Sequence, residues 1–121
     1  MKRTIAHFEI PANDVQKLSG FYQGLFGWKL EKTPGMDYWL IKSGEGEEEL
    51  GGGMMPRMDP SQGIVDYFDV ESVDKASEKL IALGGQVLMG KQAVPQMGWF
   101  AVCRDPEGNA FGLWQDDPTA A

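Results

Sequence analysis

The chain has 121 residues, which is enough for one domain with its own hydrophobic core. Its formal net charge is −7, with 11 basic residues against 18 acidic residues and no basic stripe, so nucleic acid and anionic membrane surfaces are not expected as partners. The sequence shows neither a long apolar run nor a recognisable secretory leader, and we therefore expect a cytoplasmic protein.

The first predicted element is a strand, and its side chains divide into two different faces. Alternation places Phe8 and Ile10 on one face and His7 and Glu9 on the other. The apolar face is expected to pack under a helix. His7 and Glu9 then point away from that helix.

A helix is predicted next, because apolar residues recur at helical spacing before Gly27, which ends it. Asn13 is the expected N-cap, with Gln16 three residues later. The predicted apolar stripe consists of Val15, Leu18, Tyr22 and Leu25. Further on, the run "GEGEEEL" at 44–50 is rich in acid and glycine, which indicates an exposed loop rather than a cation site.

The second half of the chain repeats this order. Phe68 and Val70 are expected on the helix side of a strand, and Val65, Tyr67 and Asp69 on the opposite side. Ser72 is the predicted cap of a helix that ends at glycines 84–85. The stripe of this helix is Val73, Ala76, Leu80 and Leu83.

The last predicted elements are an apolar run and a turn followed by a strand. The run "WFAVC" contains the only cysteine, Cys103, which we interpret as a packed thiol. The turn "DPEG" at 105–108 has proline and glycine in favourable places, and a strand from Ala110 to Trp114 follows.

The two halves also resemble each other in sequence. Phe8 and Ile10 recur 60 residues later as Phe68 and Val70, "YWLI" at 38–41 aligns with "GWFA" at 98–101, and "GGM" at 52–54 aligns with "GLW" at 112–114. A duplication explains this pattern. We predict one domain of two modules, at about 4–56 and 63–116, each with the order strand, helix and three strands.

The polar residues on the face away from the helices are costly to bury unless they are paired or wet. A lined cavity would explain them, and the tryptophans in the strand runs favour it, although these could equally fill the core. The predicted pocket-lining residues are His7, Glu9, Trp39, Met54, Tyr67, Asp69, Trp99 and Trp114.

Three stretches together resemble the vicinal oxygen chelate superfamily, which includes glyoxalase I, bleomycin-resistance proteins, extradiol dioxygenases and methylmalonyl-CoA epimerase. They are "IAHFEIPANDVQKLSGFYQGLFGWKL" (5–30), "VDKASEKLIALGG" (73–85) and "DPEGNAFGLW" (105–114). The resemblance implies an α+β fold in which two βαβββ modules form a curled mixed sheet, a cup with the helices outside, usually as a homodimer. It also implies, in the metal-using members, His and Glu ligands on the first and last strands of each module.

Only one position of this chain matches that ligand pattern clearly, and it is His7. The ligand position on the last strand of the first module is occupied by Gly52 or Gly53. The position on the opening strand of the second module is occupied by Val65 or Tyr67, and the position on its last strand by Gly112. Asp66 is adjacent but on the wrong face. Glu9 or Asp69 could supply a replacement ligand, but a cation bound there would lie deeper along the strands than the site of the family. A catalytic divalent cation needs three or four ligands, so no cofactor is expected, and His7 is the single candidate ligand.

Three functions remain open at this stage. The first is a metal-free module that binds a small organic molecule, cationic or rich in hydroxyl groups, in the cup. The second is a divalent-metal-dependent lyase, isomerase or dioxygenase in which His7 binds the cation or acts as a base. The third is an interaction unit, a dimer whose cup is filled by its own side chains, such as Met54 and Met55.

Overall fold

The computed structural model describes residues 4–44 and 50–121. Within them the elements follow in the order β1 (Ile5–Ala12), α1 (Val15–Phe26), β2 (Lys29–Lys32), β3 (Trp39–Lys42), β4 (Gly51–Pro56), β5 (Val65–Asp69), α2 (Val73–Ala82), β6 (Gln86–Val94), β7 (Gly98–Arg104) and β8 (Ala110–Asp116). The order βαβββ occurs twice, and the predicted α+β class is confirmed. Most of the acidic run predicted as a loop, residues 45–49, lies outside the described residues.

The described residues form two compact units. Residues 7–65 make up the N-terminal unit, and residues 66–121 with residues 4–6 make up the C-terminal unit. The N-terminal unit has the strand order β2-β3-β4-β1, in which β1 runs parallel to β4 and the other neighbours are antiparallel. The C-terminal unit has the order β5-β8-β7-β6 with the same pattern, β5 being parallel to β8.

The register of the last strands corrects one sequence alignment. In the N-terminal unit Phe8 pairs with Gly52, whereas in the C-terminal unit Phe68 pairs with Leu113. The last strands therefore correspond at an offset of 61 residues, although the first strands correspond at 60. A shift of one residue exchanges the two faces of a strand, so the prediction that "GGM" corresponds to "GLW" position by position was wrong.

Helix α1 begins one residue later than predicted. Its N-cap is Asp14, whose carboxylate accepts a hydrogen bond from the Lys17 amide at 3.1 Å. Asn13, the predicted cap, instead accepts a hydrogen bond from Nε of Arg57 at 3.1 Å. The helix ends as expected at Gly27, which has φ = 73°.

The turn at Gly27 brings Trp28 back against the last turns of α1. The indole stacks on Tyr22 with ring centroids 5.2 Å apart and contacts Phe26 at 4.9 Å. Three residues of the predicted stripe, Val15, Leu18 and Tyr22, pack against the core as expected. Leu25 does not, since it is 58% exposed and is not part of that cluster.

Helix α2 follows its prediction closely. The Ser72 hydroxyl accepts a hydrogen bond from the Lys75 amide, and Gly84 beyond the helix end has φ = 98°. Val73, Ala76 and Leu80 pack in the core of the C-terminal unit. Leu83 was wrongly placed in the stripe, since it is the C-cap residue and is 70% exposed.

Each unit has its own hydrophobic core between its helix and its sheet. The N-terminal core is built from Ile10, Ala12, Ile41 and Met54, and the C-terminal core from Val73, Ala101, Cys103 and Leu113. Cys103 is fully buried, as predicted, and burial raises the pKa of its thiol. None of the described helices combines the length and apolarity needed to cross a bilayer.

Candidate functional site

Three polar side chains of the N-terminal unit form a continuous hydrogen-bonded set, which we call the trio. Nε2 of His7 lies 2.7 Å from the Tyr38 hydroxyl oxygen, and that hydroxyl donates to Oε2 of Glu9 at 2.9 Å. All three side chains are half-buried. The trio lies on the sheet face opposite α1, where the sequence predicted His7 and Glu9.

The proton arrangement in the trio follows from its donor and acceptor counts. A tyrosine hydroxyl has one proton, and here it goes to the Glu9 carboxylate, which when ionised can only accept. The 2.7 Å contact between Nε2 of His7 and the same oxygen is then a hydrogen bond in the tautomer that carries its proton on Nε2. This assignment makes His7 the Nε2–H tautomer whenever its imidazole is neutral.

Strand alternation and a hairpin turn place Tyr38 in the trio. The Thr33 amide donates to the Tyr38 carbonyl at 2.8 Å and closes the turn between β2 and β3, where Gly35 has φ = 76°. Tyr38 then precedes Trp39, the first residue of β3, whose ring packs in the core. Because neighbouring residues of a strand face opposite sides, the Tyr38 ring is directed to the polar face.

Gly53 creates the space for the Tyr38 hydroxyl. It is the register partner of Glu9, and a Cβ atom built on Gly53 would lie well within 3.0 Å of the Tyr38 Oη and Cζ atoms. Real Cβ atoms do not approach neighbours that closely, so a side chain at this position and the trio exclude each other. Gly52, by contrast, faces the Phe8 ring on the helix side. The sequence analysis offered either Gly52 or Gly53 for the ligand position on this strand, and Gly53 is the one that lies on the polar face.

A tyrosine also covers a glycine in the C-terminal unit. Tyr67 pairs with Gly112, and a Cβ atom on Gly112 would meet the body of the Tyr67 ring well within 3.0 Å. Tyr67 is only 5% exposed and makes an edge-to-face contact with Phe100 at 6.1 Å. The Tyr67 ring of β5 thus covers the position on the final strand, Gly112, where the sequence analysis found no ligand.

Two further predicted residues lie on the strands beside Tyr67. Asp69 is 5% exposed and is the register partner of Trp114. The Trp114 indole donates to the Asp116 carboxylate at 2.7 Å. By alternation, Asp69 and Trp114 share the sheet face of Tyr67 and Gly112.

The remaining predicted pocket residues lie on the helix side of their sheets. Met54 is fully buried in the N-terminal core, and Trp39 packs against the same cluster. Trp99 packs against the C-terminal core, and its indole donates to Asp117 at 2.9 Å. The structure therefore brings His7 and Glu9 together through Tyr38, but it places Trp39, Met54 and Trp99 away from the polar face.

Sequence reasoning missed Tyr38, although a signal was present. The stretch "YWLI" was interpreted through its tryptophan alone. Once Trp39 is assigned to the core, alternation places Tyr38 and Leu40 on the same side as the polar residues of β1. A tyrosine hydroxyl next to a histidine and a glutamate is then an expected hydrogen-bond partner.

The described side chains do not fit a divalent cation. In residues 4–44 and 50–121, no three His, Cys, Asp or Glu side chains come together in a way that could hold a metal ion. The trio offers one imidazole and one carboxylate, and Tyr38 lies hydrogen-bonded between them. A usual catalytic site needs at least three nitrogen, oxygen or sulfur ligands.

Comparison with known proteins gives a consistent family assignment. The family model "Glyoxalase/Bleomycin resistance protein/Dioxygenase superfamily" matches residues 4–113. The curated protein "Putative glyoxylase CFP32" of Mycobacterium tuberculosis is 35% identical over 103 residues, covering 81% of this chain and 38% of that protein. The "Anthracycline biosynthesis protein DnrV" of Streptomyces peucetius is 28% identical over 127 residues, covering 91% of this chain and 46% of that protein. The chain thus spans less than half the length of these relatives.

Solved structures show the same fold at low sequence identity. A methylmalonyl-CoA epimerase from Mycobacterium tuberculosis superposes with a TM-score of 0.67 at 15% identity, covering 95% of this chain and 89% of that one. A hypothetical protein, BH1468 from Bacillus halodurans, gives a TM-score of 0.68 at 14% identity, with 100% and 99% coverage. These likenesses concern the fold alone.

Proposed function

Because this chain belongs to the glyoxalase/bleomycin resistance protein/dioxygenase superfamily, we propose that it binds a small organic molecule on the polar face of its N-terminal sheet without a divalent cation. The observation that carries this proposal is the trio. Its donors and acceptors are held by each other and by the strands, which is the preorganisation that a specific ligand site requires.

The charge of the site suggests the chemistry of the ligand. Glu9 brings a carboxylate to a half-buried position, and the chain as a whole carries a formal charge of −7. Such a site favours ligands with hydrogen-bond donors, either hydroxyl groups or a protonated amine, over anions. The similarity to DnrV, named for anthracycline biosynthesis, supports including hydroxylated aromatic compounds among the first ligands tested.

Ligand-observed NMR with a panel of phenols, polyols, amines and an anthracycline tests the proposal. We expect compounds with hydroxyl or amino donors to bind, and Glu9→Gln and His7→Ala each to weaken binding by about 10-fold or more. Glu31→Gln is the matched control, because Glu31 is an exposed β2 carboxylate paired with Lys42 at 3.2 Å. A panel with no binder, or binding that is equally sensitive to Glu31→Gln, would contradict the proposal.

A metal-dependent lyase, isomerase or dioxygenase is the competing function. It requires a cation that the purified protein retains, so elemental mass spectrometry before and after dialysis against Mn²⁺, Ni²⁺, Zn²⁺ and Fe²⁺ separates the two. A tightly held cation near one per chain, lost on His7→Ala, would favour the enzyme. Homodimer formation and a cytoplasmic location stay predictions from the sequence.

A further inference from the structure

The trio contains a feature that bears on cation binding, namely the position of the Tyr38 hydroxyl. Its oxygen lies 2.7 Å from Nε2 of His7 and 2.9 Å from Oε2 of Glu9. Both atoms belong to groups that can coordinate a cation, an imidazole and a carboxylate. We propose that Tyr38 is a cation-excluding residue, which occupies the place between His7 and Glu9 that a divalent cation would otherwise take.

The proton on the histidine nitrogen opposes cation binding. A metal ion binds an imidazole nitrogen through its lone pair. With the Tyr38 proton donated to Glu9, the Nε2 contact with Tyr38 is a hydrogen bond only when Nε2 carries the proton. A cation can therefore bind Nε2 only if the hydrogen bond to Tyr38 is first broken and the proton released.

The space between His7 and Glu9 is already occupied by the Tyr38 oxygen. A divalent cation bound to a nitrogen and a carboxylate oxygen lies about 2.0–2.2 Å from each. The Tyr38 oxygen already lies within hydrogen-bond distance of both atoms. A cation that bridged His7 and Glu9 would contact this oxygen or displace it.

The space for a side chain at position 53 is also affected by Tyr38. Gly53 is the register partner of Glu9, and a Cβ atom there would collide with the Tyr38 hydroxyl. The same tyrosine therefore also prevents residue 53 from offering a third ligand. Removing Tyr38 would free this space, and a short carboxylate at position 53 would then share the sheet face of His7 and Glu9.

The test is a Co²⁺ titration of the full chain, followed by visible absorption. For the double variant Tyr38→Ala/Gly53→Asp we expect one Co²⁺ per chain, bound at least about 100-fold more tightly than by the wild type. The matched control, Tyr38→Ala/Gly53→Ala, has the same space but no carboxylate, so its gain over the wild type should be at least about 10-fold smaller. Adding His7→Ala to the double variant should abolish it.

Two results of the Co²⁺ titration would contradict the proposal. A folded double variant that binds Co²⁺ no better than its matched control would overturn the proposal, as would a wild-type Co²⁺ spectrum that depends on His7. The probe is the metal alone, so this result does not depend on whether the organic ligand of the proposed function is found. Conversely, if no compound of the NMR panel binds, this result does not contradict the proposal that Tyr38 excludes a cation.

A second measurement covers the case in which the double variant does not fold. His7 is the only histidine of the chain, so long-range ¹H–¹⁵N NMR reports its tautomer without assignment. In the wild type we expect the Nε2–H tautomer and no imidazole shift on adding equimolar Zn²⁺. In Tyr38→Phe, which keeps the ring and removes the hydroxyl, Zn²⁺ should shift the imidazole signals. An Nδ1–H tautomer in the wild type, or equal Zn²⁺ shifts in both proteins, would refute the proposal.

Discussion

The hydroxyl group of Tyr38 stands over Gly53, at the point where any other residue would place its first side-chain carbon. This relationship joins two residues that are 15 positions apart in the chain: Tyr38 immediately precedes β3, and Gly53 belongs to the neighbouring strand β4. The hydroxyl that fills the space above Gly53 is also the one that joins His7 to Glu9. A side chain at position 53 and this hydrogen-bonded trio therefore exclude each other.

A double-mutant cycle tests the dependence of Tyr38 on Gly53. We expect Gly53→Ala to lower the free energy of unfolding by about 1–3 kcal/mol, because the new methyl group displaces the hydroxyl and breaks the trio. In a Tyr38→Ala background the same change should cost less than about 0.5 kcal/mol, because the space is then empty. Urea unfolding of the four proteins measures the coupling. Additive effects would show that the two residues do not share this space.

Substitution of Gly112 by alanine is expected to destabilise the protein more than the same substitution of a glycine in open space. An alanine methyl at Gly112 would meet the body of the buried Tyr67 ring, which cannot move aside as easily as a hydroxyl tip, so Gly112→Ala should destabilise by about 2–3 kcal/mol. Gly90 on β6 is the control, since a Cβ atom there meets nothing within 4 Å. Gly90→Ala should be neutral or stabilising by up to about 1 kcal/mol. Equal effects of the two substitutions on the unfolding midpoint would contradict the packing of Tyr67 against Gly112.

Cys103 should behave as a core residue rather than as a reactive thiol. It is fully buried and burial raises its pKa, so little thiolate is present at neutral pH. We expect a disulfide reagent to label the native protein at least about 100-fold more slowly than the protein in denaturant. Since the chain has one cysteine, the signal has a single source. Rapid stoichiometric labelling of the folded protein would show that the thiol is accessible.

The turn before β8 is expected to confer pH-dependent stability. The Asn109 side chain and backbone both donate to Asp105, as does the Glu107 backbone, and these hydrogen bonds lower the Asp105 pKa. Because the carboxyl has a lower pKa in the folded state, its contribution is present above the unfolded pKa of about 3.9 and is lost as the pH falls through the folded pKa.

Comparison of the wild type with Asp105→Asn isolates this effect. The variant keeps the size and one acceptor of the side chain but cannot ionise. The wild type should be more stable at pH 6 to 7, and the difference should shrink as the pH is lowered below about 4. Chemical unfolding at several pH values measures it. A stability difference that is independent of pH would show that the ionised form of Asp105 is not what the turn stabilises.

Local signals of the sequence predicted much of the fold. The caps at Ser72 and Gly27 follow from chemistry within one helical turn, and most residues of the apolar stripes pack against the two cores. The errors arose where a second part of the chain competes for a local partner. Asn13 has the right side chain for a cap, but Arg57, 44 residues away, takes its oxygen.

The candidate site was predictable only in part, and for a definite reason. Alternation along β1 placed His7 and Glu9 on one face, and this required no tertiary information. The sequence likewise showed that no carboxylate was available at positions 52, 53 and 112. It could not show what stands in place of the missing ligands, because that depends on the register between strands.

The amino-acid sequence by itself thus determined the family, through its resemblance to known members. It also determined the repeated βαβββ order and the residues of β1 that face away from the helix, since these depend on short-range periodicity and on local turn chemistry. Only the tertiary structure decided that Tyr38 joins His7 to Glu9, that Gly53 rather than Gly52 accommodates it, and that Trp39 and Trp99 belong to the cores. The physical reason is that hydrogen bonds and close packing between strands require two backbones to be aligned to within one residue, and that alignment is a property of the assembled sheet.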